Sequence, residues 1–92
     1  MSTLTLQLRL KQEEGALVRL LSVTRQRRFD ILSLKMFPSR KAGFFDVQMT
    51  VTANRAGDPL VRQIEKLVDV SDVEVIDLTD PGAEARAAHS GA

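Results

Sequence analysis

Apolar and polar positions along this chain change rhythm several times, and each change marks an element. Leu4, Leu6, Leu8 and Leu10 alternate with Thr5, Gln7, Arg9 and Lys11, a period of two that gives a strand over 3–11 one apolar and one wet face. After Gly15 the rhythm is helical. Leu17, Leu20, Leu21 and Thr24 share one side while Arg19, Gln26 and Arg27 fall mostly elsewhere, which predicts a helix over 15–27. Leu32, Leu34 and Met36 share one parity, Pro38-Ser39-Arg40-Lys41-Ala42-Gly43 supplies turn chemistry, and Phe45, Val47, Met49 and Val51 resume the alternation. Strands over 30–37 and 44–53 joined as a hairpin follow. Gly57-Asp58-Pro59 reads as a helix start, with Asp58 placed to accept an unpaired N–H and Pro59 suited to the first helical position. Leu60, Val61, Ile64, Leu67 and Val68 form the stripe of a helix over 58–69. Val73, Val75, Ile76 and Leu78 make a last strand over 72–79 with apolar residues on both faces.

The order βαββαβ predicts an α+β ferredoxin-like sandwich, a four-stranded antiparallel sheet with both helices on one face. One domain over 1–79 is expected. Residues 80–92, small, polar and unpatterned, are expected to form a flexible tail.

Composition narrows the classes of function. A chain of 92 residues buries a core but leaves apolar surface for a partner, so dimerisation is plausible on size alone. A formal net charge of +1, with both signs interspersed, gives no strong electrostatic grip on nucleic acid or on an anionic membrane. The chain has no cysteine, which excludes disulfides, a thiol nucleophile and zinc–thiolate sites. No opening segment reads as a signal peptide and no apolar run approaches bilayer length, so a cytoplasmic location is the default expectation.

Enzyme chemistry finds little support. The single histidine, His89, falls in the expected tail, and Ser22, Ser33 and Ser39 have no activating neighbour in the sequence. Asp69, Asp72, Asp77 and Asp80 suit caps and strand flanks better than a metal cage. RNA-recognition domains share the βαββαβ order and stack bases on aromatic residues of the central strands. Here tyrosine and tryptophan are absent, and the adjacent Phe44 and Phe45 cannot both face one side. Arg25-Gln26-Arg27-Arg28 at the end of the first helix complements the helix dipole. The junction at Gly15 is the more informative chemistry. A helix starting at Glu14 or Gly15 leaves backbone N–H groups that favour a carboxylate, and a glycine there lets a ligand approach the backbone.

Glu14-Gly15-Ala16-Leu17-Val18-Arg19, Arg25-Gln26-Arg27-Arg28-Phe29-Asp30-Ile31-Leu32-Ser33-Leu34 and Gln63-Ile64-Glu65-Lys66-Leu67-Val68-Asp69-Val70 together resemble the ACT domain of acetohydroxyacid synthase (acetolactate synthase) small regulatory subunits, in order and spacing, over nearly all of 3–79. The short isozyme II type is the nearest pattern. The resemblance implies a non-catalytic subunit that binds and activates the acetolactate synthase large subunit in branched-chain amino-acid synthesis. It carries no cofactor of its own; thiamine diphosphate, magnesium and FAD are expected in that large-subunit partner. It also implies a homodimer through the ACT domains and a valine-like effector at the dimer interface, contacted by positions corresponding to Gln12, Glu14, Gly15, Ala16, Leu17, Asp30 and Ile31. Gln12 and Asp30 stand where valine-sensitive relatives have asparagine, and Arg28 where they have glycine. Asp30 accepts but does not donate while ionised, and Glu13 and Glu14 repel a carboxylate, so weak or absent valine sensitivity is expected. A free-standing ACT domain that senses an amino acid is the alternative; an RNA-binding module and an independent enzyme rank behind it.

Overall fold

β1 (Ser2–Lys11) is an interior strand of the sheet, and its strict alternation sets the leucines on one face. Leu4, Leu6, Leu8 and Leu10 are fully buried, each contributing on the order of 2 kcal/mol of apolar transfer. The computed structural model describes residues 2–54 and 58–79. The other elements are α1 (Ala16–Gln26), β2 (Asp30–Pro38), β3 (Phe44–Ala53), α2 (Asp58–Glu65) and β4 (Val70–Thr79). The expected tail 80–92 with His89, Gly57 and the side chain of Asp58 lie outside the described residues.

The strand order is β2-β3-β1-β4, and every neighbouring pair is antiparallel. Both helices pack on the face that carries the β1 leucines and Val47, Met49 and Val51 of β3, burying Ala16 and Leu20 of α1, Leu60 and Ile64 of α2, and Phe29. This is the ferredoxin-like sandwich. The other face is polar, with Thr5 and Thr50 hydroxyls 3.0 Å apart and Arg9 between Asp46 and Asp72 at 3.6 and 3.0 Å. Phe45 packs against the core, whereas Phe44 lies opposite Lys11 with the Lys41 ammonium 4.5 Å from its ring centre.

Three expectations need correction. The second helix ends at Glu65 rather than 69: Leu67 still packs on the core, but from a turn closed by Val70 N–H to Leu67 O at 3.1 Å, and Val68 is 89% exposed. β4 consequently starts at Val70, two residues early. In β2 the shared parity of Leu32, Leu34 and Met36 is broken by a bulge. Ile31 pairs with Val51 and Ser33 with Thr50, so Leu32 is the extra residue and is exposed while Ile31, Leu34 and Met36 pack inward.

The two ends of α1 are built differently. Gly15 caps the start with φ at +83°, and no side chain caps the exposed amides. At the other end Phe29 N–H bonds to Thr24 O at 3.2 Å and Arg28 N–H to Arg25 O at 2.9 Å, the paired 6→1 and 5→2 bonds of a Schellman ending. Its left-handed position is held by Arg28, φ +63°, where an L side chain costs about 1 kcal/mol relative to glycine.

Candidate functional site

The glycine turn is fixed by bonds from three elements. Gln12 N–H bonds to Gly43 O at 2.8 Å and Gln12 Nε2 donates to Phe44 O at 3.3 Å, which ties the end of β1 to the start of β3. Ala16 N–H bonds back to Glu13 O at 3.1 Å and Arg19 N–H to Gly15 O at 3.0 Å. From the third side comes Asp69. Its carboxylate, 3% exposed, accepts from Arg19 Nε at 2.6 Å, and its backbone oxygen accepts Lys11 N–H at 2.8 Å. The Arg19 guanidinium lies so close over the turn that a Cβ on Gly15 would come within 2.9 Å of Nη1.

That ion pair sets the electrostatics. The hydrogen bond from Arg19, reinforced by its positive charge, holds the Asp69 carboxyl below the usual carboxylate range although burial pulls the other way; the Arg19 guanidinium is raised in turn. Sequence reading missed the pair because 50 positions separate its members. A signal was present: Asp69 stands among Leu67, Val68 and Val70, and a carboxylate drawn into an apolar run needs a cation.

Within one chain the seven expected effector positions form two groups. Gln12, Glu14, Gly15, Ala16 and Leu17 share the turn, with Glu14 exposed, Leu17 half-buried, the Ala16 side chain sealed in the core and the Ala16 N–H already taken by Glu13 O. Asp30 and Ile31 lie at the other end of the sheet. Asp30 pairs with Thr52, which pairs with Thr3, whereas the turn follows Lys11; Thr3 to Lys11 spans about 26 Å at roughly 3.3 Å per residue. Asp30 is held by Arg25 at 2.8 Å, and Ile31 packs against the core. The end of β2 is nearer the turn: Pro38 pairs with Phe45, which pairs with Leu10.

Among the described residues no group of three His, Cys, Asp or Glu side chains could hold a metal ion, and no helix is long and apolar enough to cross a membrane. A shallow concavity on the polar sheet face is lined by Gln7, Leu8, Arg9, Asp46, Asp72 and Glu74, with its arginine already neutralised by two carboxylates.

Comparison with known proteins agrees with this fold. The family model described as ACT domain matches residues 12–73. The chain is 35% identical over 71 residues to the acetolactate synthase isozyme 2 small subunit of Escherichia coli (strain K12), an alignment covering 77% of this chain and 82% of that protein. The chain belongs to the ACT-domain family of acetolactate synthase small subunits. The corresponding small subunit of Shigella flexneri gives the same identity and coverage. ACT-domain likeness extends to solved structures. The crystal structure of the ACT domain from GTP pyrophosphokinase of Chlorobium tepidum superposes with a TM-score of 0.65 at 14% identity, covering 80% of this chain and 96% of that one. Formyltetrahydrofolate deformylase from Burkholderia mallei ATCC 23344 gives 0.66 at 18% identity, covering 82% of this chain and 28% of that one. At such identities the likeness is one of fold.

Proposed function

We propose that this chain is a regulatory subunit that binds the large, thiamine-diphosphate-dependent subunit of acetolactate synthase and raises its activity in branched-chain amino-acid synthesis, with little or no response to valine. The observation that carries the reading is the 35% identity to the isozyme 2 small subunit across most of both chains. Chemistry belongs to the large subunit and its cofactors. This chain acts by contact, making the active arrangement of its partner the more populated one.

The effector arrangement proposed here needs a second copy. β2 is an open sheet edge, and antiparallel pairing of two β2 strands about a two-fold brings the start of one strand beside the end of the other. Asp30 and Ile31 of one copy then reach the sheet end that carries the Gly15 turn of its neighbour. Two features argue for a weak valine response: the Gln12 amide is engaged by Phe44 O, and Asp30 is engaged by Arg25. The exposed Glu13 and Glu14 add repulsion toward a carboxylate.

The test is acetolactate formation by the cognate large subunit, alone and with this chain, each with and without valine. Stimulation unchanged by valine is the expected result. Stimulation reversed by valine would show a working effector turn, and absence of both stimulation and complex would end the subunit reading in favour of a free-standing amino-acid sensor. Sedimentation of the isolated chain tests the two-fold: a monomer at high concentration excludes β2 pairing.

A further inference from the structure

We infer that the arginine-capped end of α1 is a docking point for an acidic protein surface, with Arg27 and Arg28 as its contact residues; naming that surface as the large subunit's rests on the subunit reading above. Three arginines fall within four positions, and they are not equivalent. Arg25 sits in the last turn of the helix, where it complements the dipole, and is paired with Asp30 at 2.8 Å. Arg27 and Arg28 are exposed, and neither meets a carboxylate within ion-pair distance among the described residues.

Dipole complementarity accounts for Arg25 but not for the residue chosen at position 28. A cation one place earlier serves the helix equally, and the Schellman position is the one where any side chain strains the backbone. The strained conformation is held by a side chain that is exposed and forms no ion pair among the described residues, which leaves it available for an outside contact. Two exposed cations at a helix end, without a carboxylate partner among the described residues and beside a pair already neutralised, suit a carboxylate cluster on a protein. They are too few and too local to track a phosphate backbone, and the open sheet face carries only two aromatic side chains, Phe37 at the edge strand and Phe44, whose ring already meets the Lys41 ammonium.

The test separates charge from strain. Arg28→Gly removes both; Arg28→Gln, alone or with Arg27→Gln, removes charge and keeps the left-handed side chain. Each full-length variant is titrated against the complete large subunit across a salt series, alongside thermal melts. Arg28→Gly is expected to melt about 5 °C higher than the natural chain and yet bind roughly threefold more weakly. The double Gln variant is expected to melt nearly unchanged, bind roughly tenfold more weakly and lose most of its salt dependence. Arg28→Gly binding as tightly as the natural chain overturns the docking assignment and leaves the subunit reading standing. A natural chain that fails to bind the large subunit overturns both. Arginine-dependent retention on single-stranded RNA at physiological salt would also overturn the assignment, in favour of nucleic acid.

Discussion

Both ends of α1 are closed by a residue with positive φ, yet Gly15 at +83° and Arg28 at +63° solve the problem on opposite terms. At the start, glycine makes the left-handed turn without steric conflict, and ties from β1, β3 and Asp69 fix its shape. At the finish, Arg28 makes the same turn against its own Cβ while two Schellman bonds and the buried Phe29 hold it in place. The comparison separates a turn whose backbone is what matters from a turn whose side chain is what matters.

The costliest position to change is Phe29, the bulky side chain that anchors the strained end. Phe29→Ala should destabilise the fold by about 3–5 kcal/mol in urea denaturation, because the side chain is 1% exposed. Gly15→Ala comes next. Its Cβ would enter a left-handed backbone and displace Arg19 from its 2.9 Å approach, for a loss of about 1–2 kcal/mol. Arg28→Gly should have the opposite sign, a gain of about 1 kcal/mol on the same denaturation curve.

Asp69 makes the glycine end of α1 sensitive to pH. Its carboxyl ionises at lower pH in the fold than in the unfolded chain, so the fold binds fewer protons than the unfolded chain as acid is added. The Arg19 pair therefore stabilises at neutral pH, and that contribution is lost as pH falls through the region below ordinary carboxylate values. Asp69→Asn should flatten the acid limb of the stability curve, measured as the denaturation midpoint against pH; an unchanged acid limb would show that other carboxylates set it. The smallest effect belongs to Arg25 and Asp30, both largely exposed. A double-mutant cycle there should return no more than about 0.5 kcal/mol.

Much of this architecture is written locally in the chain. The β1 leucines, the stripe of α1 and the hairpin turn at 38–43 each declare themselves within a few residues, and their order leads to the sandwich. What stayed hidden depends on partners distant in sequence. The stripe of α2 runs on through Leu67 and Val68, so nothing in its spacing shows that Leu67 packs from a turn and Val68 points to water. The bulge at Leu32 arises from matching β2 to β3, not from any residue in β2 alone. Of the expected effector residues, those in the glycine turn are neighbours in the chain and remain so in space. Asp30 and Ile31 share a group with them in a sequence pattern, whereas the strand register separates them by the length of the sheet.

The two outer strands of the sheet also differ, and the difference governs how far copies of this chain can add to one another. An exposed edge is a template, and a molecule with two usable templates can grow into a fibre. β2 departs from regular pairing once. β4 slips register twice against β1, takes a left-handed step at Asp72 and sets exposed Asp72, Glu74 and Asp77 along its length. A crooked, acidic border of this kind resists a new strand even though Val75, Ile76 and Leu78 are half-exposed beside it. A pairing through β2 about a two-fold would close on itself, and the shape of β4 would offer no second border to extend it.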